Sequence, residues 1–237
     1  MNLKDFYKGN LFDCYNFFGA HKENNEFIFR TYAPAAKEVM IFGSFNDWKE
    51  EEMKKDEGGI FLFKTNKASF GDMYKYVIYT KDGHRYEHCD PYGFGMELRP
   101  AFASYITDSD EYRFTDERWL KNRTKNFNSP MNIYELHLGS WKTHNNQWYN
   151  YSELADILIP YVKENHYTHI EFMPISEHPA DCSWGYQNTG FFSPTSRYGK
   201  ASQLMELIDK CHNADIGVIL DFVPVHFAVD GYALARY

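Results

Sequence analysis

The sequence predicts two folds in series, an antiparallel β-sandwich followed by a parallel sheet covered by helices. In the first part, short apolar runs alternate with turn residues, which is typical of antiparallel strands. In the second part, the patterns follow the order strand, helix, strand, helix, strand, which indicates parallel βαβ units. The 237 residues provide room for one to two domains of ordinary size.

Four strand-like runs between residues 26 and 108 support the sandwich. The first alternates apolar and polar side chains, as a strand with one buried face does. The four runs are residues 26–32, 39–42, 60–63 and 73–79. The last run is followed by Asp82-Gly83, a dipeptide that favours a hairpin turn.

A charged segment separates the two parts. Residues 109–130 carry Trp119 and Leu120 as their apolar points and end at Asn128-Ser129-Pro130, so we predict a linker with one short helix. The predicted division is an N-terminal extension at 1–20, a sandwich at 21–108, this linker, and an α/β part at 131–237.

Three strand-like runs and two helices make up the second part. The strands are predicted at 131–138, 168–175 and 217–223. Ser152 is the expected N-cap of the first helix, and Pro160 is expected to kink it or weaken its middle. Its apolar stripe is Leu154, Ile157, Leu158, Tyr161 and Val162. The second helix starts near Ser202, with an apolar face of Leu204, Leu207, Ile208 and Cys211.

Composition narrows the classes of function. With 25 basic and 33 acidic residues the net charge is -8, and no basic run is present, which argues against nucleic-acid or anionic-membrane partners. We find no export or membrane-spanning pattern. The four cysteines are widely spaced, so we expect reduced thiols and a cytoplasmic protein. The aromatic share of 19% indicates an aromatic core, with stacking on sugar rings as the alternative.

Candidate functional residues follow the three predicted strands of the second part. In a (β/α)₈ barrel such positions build the active site. They are His137 and Trp141 after the first strand, Glu171, Pro174, Glu177 and the loop 181–190 after the second, and Asp221 and His226 after the third.

Each candidate also has a structural interpretation. Asp221 could accept backbone N–H bonds, His226 could be a core histidine, and Glu171 and Glu177 could be solvated. For Trp184 alone, a packed loop anchor is favoured over sugar stacking. The pairs His84/His88 and Cys211/His212 lack the geometry of metal ligands, so no metal site is predicted.

Five motifs, in order, resemble those of glycogen (1,4-α-glucan) branching enzymes of the α-amylase superfamily, glycoside hydrolase family 13. The resemblance covers nearly the whole chain. Debranching enzymes and trehalohydrolases are similar, but they usually carry aspartate where this chain has Gln187. The motifs are Tyr134-Glu-Leu-His-Leu-Gly-Ser-Trp141, residues 169–178, Ser183-Trp-Gly-Tyr-Gln187, residues 193–199 and residues 217–227.

The resemblance implies a starch-binding, immunoglobulin-like β-sandwich followed by the first part of a (β/α)₈ TIM barrel, truncated after its third strand. In the sandwich, Phe45-Asn-Asp-Trp48 and Asp90-Pro-Tyr92 match motifs of the family. Trp48 is a candidate glucan contact. We nevertheless expect it to pack inside the sandwich, because the family uses this motif largely for structure.

The resemblance also assigns substrate-binding residues. Tyr186 corresponds to the tyrosine that stacks on the glucosyl unit next to the scissile bond. Asp221 corresponds to an aspartate that organises the site, and His226 to a histidine that donates a hydrogen bond to the sugar. Trp184 and Gln187 complete the predicted set. Cys182 and Asn188 depart from the usual residues of this loop, and neither change removes a catalytic group.

The catalytic carboxylates of the family do not lie in these residues. A retaining enzyme needs two carboxyl groups about 5–5.5 Å apart, and this family takes them from the fourth and fifth barrel strands. Only 107 residues follow Pro130 (237 minus 130), whereas a barrel needs roughly 250. We therefore expect the nucleophile and the acid/base of the family to lie outside these residues.

The implied function is cleavage of α-1,4-glucan and transfer to form α-1,6 branches in glycogen, with this chain as the N-terminal part of the enzyme. Carboxylates supply the chemistry, so no cofactor is expected. The expected partner is α-1,4-glucan or glycogen. The alternative is a non-catalytic glucan-binding module, or a half-enzyme in which a second chain completes the barrel. We expect residues 131–237 to be unstable alone, because three barrel strands leave open edges.

Overall fold

A computed structural model describes residues 1–124 and 128–237 of the chain. The first part contains one short helix, α1 (Leu3–Tyr7), and three 3₁₀ turns at Cys14–Asn16, Ser44–Asn46 and Glu57–Gly59. Its strands are β1 (Gly19–Glu23), β2 (Glu26–Tyr32), β3 (Glu38–Gly43), β4 (Glu51–Glu52), β5 (Lys54–Lys55), β6 (Ile60–Thr65), β7 (Met73–Tyr79), β8 (Arg85–His88) and β9 (Ser104–Tyr105).

These strands form two antiparallel sheets. One sheet has the order β1-β2-β6-β5, and the other has the order β4-β3-β7-β8 with β9 added beside β7. The bounds of β2 and β7 agree with the predicted runs 26–32 and 73–79. The Asp82-Gly83 hairpin is confirmed, because β7 pairs with β8 and Gly83 adopts a φ of +89°.

An aromatic core fills the space between the two sheets. Phe29, Phe61, Tyr74 and Tyr76 are fully buried, and the ring of Phe29 meets that of Tyr74 edge to face with centroids 4.9 Å apart. Burial of one such side chain stabilises the fold by about 1.5–3 kcal/mol. Helix α1 packs on the outside of this part, where the Phe6 ring stands edge-on to Tyr32 at 5.0 Å.

The second part alternates strands and helices. Its helices are α2 (Glu117–Asn122), α3 (Leu138–Trp141), α4 (Tyr151–Glu164) and α5 (Ala201–Asn213), with 3₁₀ turns at Ser196–Tyr198 and Leu234–Arg236. Its strands are β10 (Ile133–Leu136), β11 (Thr143–His144), β12 (Gln147–Trp148), β13 (His169–Phe172), β14 (Ser176–Glu177), β15 (Gly190–Pro194) and β16 (Gly217–Leu220).

A parallel sheet of order β10-β13-β16 lies at the centre of this second part, and it confirms the predicted βαβ pattern. Helices α4 and α5 cover one of its faces. The core between sheet and helices contains Ile170 and Phe172 from β13, Leu158 from α4 and Leu207 from α5. The strands β11 and β12, and β14 and β15, form two small antiparallel pairs.

Helix α4 differs from the sequence prediction at its N-cap. Its N-cap is Asn150, whose side chain accepts the Glu153 N–H at 2.9 Å while Glu153 accepts the Asn150 N–H at 2.9 Å. The predicted cap, Ser152, instead donates to Glu206 on α5. The helix runs from Tyr151 to Glu164 with Pro160 inside it, so the proline does not end it. The expectation that Pro160 kinks the helix or weakens its middle stays a prediction.

The linker docks on α5. Its short helix α2 agrees with the prediction. The linker residues Tyr112 and Thr115 bond to buried Asp209 on α5, which accepts the Tyr112 hydroxyl at 2.8 Å and the Thr115 N–H at 2.9 Å. His212 donates to Asp116 at 2.7 Å. Residues 125–127 of the predicted linker lie outside the described residues, and the domain boundaries themselves stay predictions.

No helix within residues 1–124 and 128–237 is long and apolar enough to cross a membrane.

Candidate functional site

The carboxyl ends of the three parallel strands meet at one edge of the sheet. Leu136, Phe172 and Leu220 lie in register across β10, β13 and β16. The pairing continues one residue further, because the Asp221 N–H donates to the Phe172 carbonyl at 3.0 Å. The residues that follow each strand therefore share this edge, as the sequence predicted for a barrel-type site.

Tyr186 and Asp221 are brought together at this edge. The Tyr186 hydroxyl donates to Asp221 Oδ2 at 2.7 Å, which joins the loop after β14 to the end of β16. This hydrogen bond, followed by burial and by the charges of Asp221, Glu135 and Glu171, raises the pKa of Tyr186 to about 12. The phenol is therefore protonated at neutral pH and acts as a hydrogen-bond donor.

His226 is joined to the same loop through its backbone. Its carbonyl accepts the Asn188 N–H at 3.3 Å, and the Ala228 N–H donates to the Asn188 carbonyl at 3.1 Å. The His226 side chain is exposed, so its interpretation as a core histidine is wrong. Within the described part of the chain, the hydrogen bond that joins His226 to this loop is made by its backbone carbonyl.

Trp184 and Gln187 are also exposed on this loop, and Trp184 keeps 64% of its surface open. The interpretation of Trp184 as a packed anchor is therefore wrong. Both side chains and Tyr186 line a cavity of about 380 Å³, together with Cys182 and its neighbours. The exposed indole and the cavity beside it provide room and an apolar surface for a flat ligand.

A glycine sets the turn between Trp184 and Tyr186. Gly185 has a φ of +86°, and a Cβ at this position would lie 2.5 Å from the Pro174 carbonyl oxygen. Any larger residue would strain the backbone and move the loop away from the strand end. Gly185 thus fixes which way the two aromatic neighbours point.

An ion-pair network, buried at Glu177 and Arg197 and partly exposed at Asp181 and Arg99, holds the base of the loop. Glu177 is only 3% exposed, so the interpretation of this residue as solvated is wrong. Arg197 donates to Glu177 at 2.6 Å and, through Nε, to Asp181 at 2.8 Å, and Arg99 reaches the same Asp181 oxygen at 2.7 Å. Burial raises the pKa of Glu177, while the Ser196 N–H, Arg197 and neighbouring donors act in the opposite direction.

Sequence reasoning missed the role of this network. Arg197 lies within a motif quoted for the resemblance, but its partner Glu177 is 20 residues away, and no local pattern pairs them. His178, next to Glu177, is also buried and donates through Nδ1 to the Ser176 carbonyl at 2.9 Å. Burial lowers the pKa of His178 to about 4, and Arg197 and His137 act in the same direction.

The remaining candidates after the strands have separate environments. The His137 ring nitrogen Nδ1 lies 2.9 Å from the Ser140 hydroxyl, and burial lowers the pKa of His137. Trp141 donates to the Tyr134 hydroxyl at 2.8 Å and packs against the core cluster, which gives it a structural contact. Glu171 pairs in register with Glu135.

Trp48 lies outside the sandwich core. Its side chain is 41% exposed and meets the Phe42 ring edge to face, with centroids 5.6 Å apart. The expectation that Trp48 packs inside the sandwich is therefore wrong. Both Asp47 and Trp48 have a φ of +56°. The tight turn that these two residues form directs the indole toward solvent.

Within the described residues, no three His, Cys, Asp or Glu side chains lie together as metal ligands would. His84 is exposed beside Asp82, whereas His88 is buried.

Two family models match the chain. Residues 17–93 match carbohydrate-binding module 48, described as the isoamylase N-terminal domain, and residues 154–234 match the alpha amylase catalytic domain. The first match covers most of the sandwich strands, and the second covers β13, β16 and the candidate site between them.

Curated relatives match nearly the whole chain. The 1,4-alpha-glucan branching enzyme of Fusobacterium nucleatum subsp. nucleatum is 45% identical over 98% of this chain and 39% of its own length. The enzyme of the same name from Francisella tularensis subsp. tularensis, strain SCHU S4, is 47% identical over 98% of this chain and 38% of its own length. The chain thus spans about two fifths of the length of these relatives.

Solved structures show the same fold at lower identity. A pullulanase from Paenibacillus barengoltzii, crystallised with maltohexaose and alpha-cyclodextrin, superposes with a TM-score of 0.75 at 22% identity, over 96% of this chain and 42% of that one. A putative alpha amylase from Salmonella typhimurium gives a TM-score of 0.72 at 24% identity, over 92% and 35% of the two chains.

Proposed function

We propose that this chain builds part of the glucan-binding site of a 1,4-alpha-glucan branching enzyme. It is a member of that family through its homology along nearly all of its residues. The activity is cleavage of an α-1,4 bond and transfer of the freed chain to form an α-1,6 branch in glycogen. The observation that carries the proposal is the Tyr186–Asp221 hydrogen bond at the carboxyl edge of the parallel sheet.

The sheet β10-β13-β16 represents the first three strands of a (β/α)₈ barrel. The strands are parallel and helices cover one face, as a barrel requires. Among the described residues β16 has one neighbouring strand. The end of β16 and the residues that follow it expose large apolar side chains. They are Leu220, Phe222, Val225, Phe227 and Val229. Further strands, from the same polypeptide or from a second chain, would cover this edge and bring the nucleophile and the acid/base.

Each candidate residue has a chemical role in this proposal. Tyr186 stacks its ring on the glucosyl unit next to the scissile bond, while its hydroxyl is held by Asp221. Asp221 organises the site from the end of β16. The exposed imidazole of His226 donates to a sugar hydroxyl, and Trp184 and Gln187 contact the glucan along the cavity that they line.

The reaction proceeds by double displacement. One carboxylate attacks the anomeric carbon while the acid protonates the departing glycosidic oxygen, which gives a covalent glycosyl-enzyme. A glucan 6-hydroxyl then attacks the same carbon and loses its proton to the residue that served as acid. Carboxylates supply both functions, so the proposal includes no metal or organic cofactor. The four free cysteines support a reducing cytoplasm as its location.

The assignment of Asp221 is tested by Asp221→Ala in the complete branching polypeptide. We expect branching, measured as new α-1,6 linkages in amylose, to fall on the order of 100-fold or more, because Tyr186 loses its partner and the strand-end carboxylate is gone. Asp156→Ala is the matched control, since Asp156 is exposed on α4 on the helix side of the sheet. Unchanged branching by the Asp221 variant, with the control also active, would defeat the assignment.

A further inference from the structure

The chain that leaves β16 lies between the candidate site and the sandwich. We call residues 226–233 the docking segment. Its far end is bound to β8 and the residue that follows it: the Cys89 N–H donates to the Tyr232 carbonyl at 2.9 Å, and His88 Nδ1 lies 3.0 Å from the Ala233 carbonyl. The Phe102 ring stacks on Tyr232 with centroids 4.6 Å apart.

His88 makes this contact in a buried environment. His88 is fully buried and Ala233 nearly so. Burial lowers the pKa of His88, so the imidazole is neutral at pH 7 and its Nδ1 carries the proton that a carbonyl acceptor requires. Tyr237 closes the other side, because its ring stands edge-on to His88 at 5.0 Å. Water cannot replace this hydrogen bond without entering a buried site.

The near end of the docking segment is bound to the loop that carries Tyr186. Asn188 forms a parallel bridge with Phe227, and its N–H and carbonyl bond to His226 and Ala228 at 3.3 and 3.1 Å. Asn188 is buried and lies two residues after Tyr186. The next residue, Thr189, donates its N–H to the Glu177 carbonyl at 2.8 Å. The loop end is thus held between β14 and the docking segment.

We infer that the sandwich positions the glucan site through the docking segment, and that His88 is a positioning residue for Tyr186 and His226. The path runs from His88 to Ala233, along the segment to His226 and Ala228, and across to Asn188. Each step is a backbone contact or a hydrogen bond to a backbone carbonyl, so a shift of the segment moves both side chains together. The consequence for glucan rests on the proposed function, whereas the physical coupling does not.

Hydrogen–deuterium exchange on the 237-residue chain tests the coupling directly. His88→Leu removes the donor and keeps an apolar side chain, whereas His88→Asn keeps a donor nitrogen near the Nδ1 position. We expect the leucine variant to speed exchange of the Asn188 and Ala228 amides about tenfold, since a buried hydrogen bond is lost. The asparagine variant should restore slow exchange. His84→Leu, at the exposed turn of the same hairpin, should change neither amide.

The amides of β7 report whether the sandwich of the His88→Leu variant is still folded. If the β7 amides also exchange fast, the Phe102→Ala variant is used in place of His88→Leu. Phe102→Ala loosens the contact with Tyr232 without removing a buried donor. Exchange of the Asn188 and Ala228 amides should then be faster than in the parent. Unchanged exchange at Asn188 and Ala228 in a folded His88→Leu or Phe102→Ala variant would overturn the inference.

Kinetics of the complete branching polypeptide separate a positioning role from a structural one. We expect His88→Leu to lower kcat/KM for branching about tenfold, with His88→Asn near the parent and His84→Leu unchanged. An unchanged kcat/KM for His88→Leu overturns the positioning role. Failure of the proposed function would be seen elsewhere, as full branching by the Asp221→Ala variant, and it leaves the exchange result standing.

Discussion

The two parts of the chain enclose their cores differently. In the sandwich, two sheets face each other and the aromatic side chains between them are covered from both sides. In the α/β part, helices cover one face of the sheet, while β16 leaves an edge with exposed Leu220 and Phe222. The candidate site lies on this less enclosed part, where the structure leaves room for further strands.

The difference predicts how each part behaves when separated. Residues 1–108 should fold and melt cooperatively, because their own residues supply all of the buried members of their core and, among the described residues, only Tyr237 packs against it from the second part. Residues 131–237 should aggregate or show no cooperative transition, since three barrel strands expose their edges and apolar side chains. Thermal melting by circular dichroism, with sedimentation to detect aggregates, measures both. If residues 131–237 were a soluble monomer with a cooperative melt, the comparison would fail.

A smaller, pH-dependent effect should arise in the α/β part. The pKa of His178 is about 4 in the fold, against an ordinary value of 6.5. The unfolded state therefore takes up this proton first on acidification, and the folded state loses stability as the pH falls from about 6.5 toward 4. The free energy of unfolding should fall by about 2 kcal/mol between pH 7 and pH 5.

His178→Asn tests this assignment, because it retains a donor toward the Ser176 carbonyl but does not titrate. Urea unfolding at pH 7 and pH 5 should show that the variant has lost this share of the pH dependence. His84→Asn, at an exposed turn, should behave as the parent does. An equal pH dependence in the parent and the His178 variant would rule out His178 as its source.

The smallest expected effect concerns the sandwich as a glucan-binding surface. The exposed indole of Trp48 is a candidate glucan contact. Trp48→Ala should therefore weaken the free energy of glycogen binding by about 1 kcal/mol, which is measured as reduced retardation of the chain in glycogen-containing gels. Stability should change by less than about 0.5 kcal/mol, because the side chain is outside the core. Phe12→Ala, at another exposed aromatic residue, is the control. Equal retardation of the parent and the Trp48 variant would remove Trp48 from the binding surface.

Local patterns predicted the elements well, because strand alternation and turn residues act over a few positions. The bounds of β2 and β7 and the order of the α/β part followed from such patterns. The N-cap of α4 did not, since Asn150 and Ser152 both suit the position and the reciprocal contact with Glu153 decides between them.

Motif resemblance brought Tyr186 and Asp221 together, and the structure joins them by a hydrogen bond across 35 residues. The contacts that hold their loop were not predicted. Glu177 and Arg197 are 20 residues apart, and His88 and Ala233 are 145 residues apart. Such pairs depend on tertiary packing, which a single sequence does not reveal by local pattern. The exposure of Trp48 likewise depends on a turn with two positive φ angles.

We propose that these residues build one side of a glucan site whose catalytic carboxylates lie outside them. The intact mass of the polypeptide, isolated with its partners from its own cells, tests this proposal. We expect either a mass far above 28.0 kDa, or a second chain held in a stable assembly. A lone 28.0 kDa polypeptide that forms α-1,6 linkages by itself would contradict it.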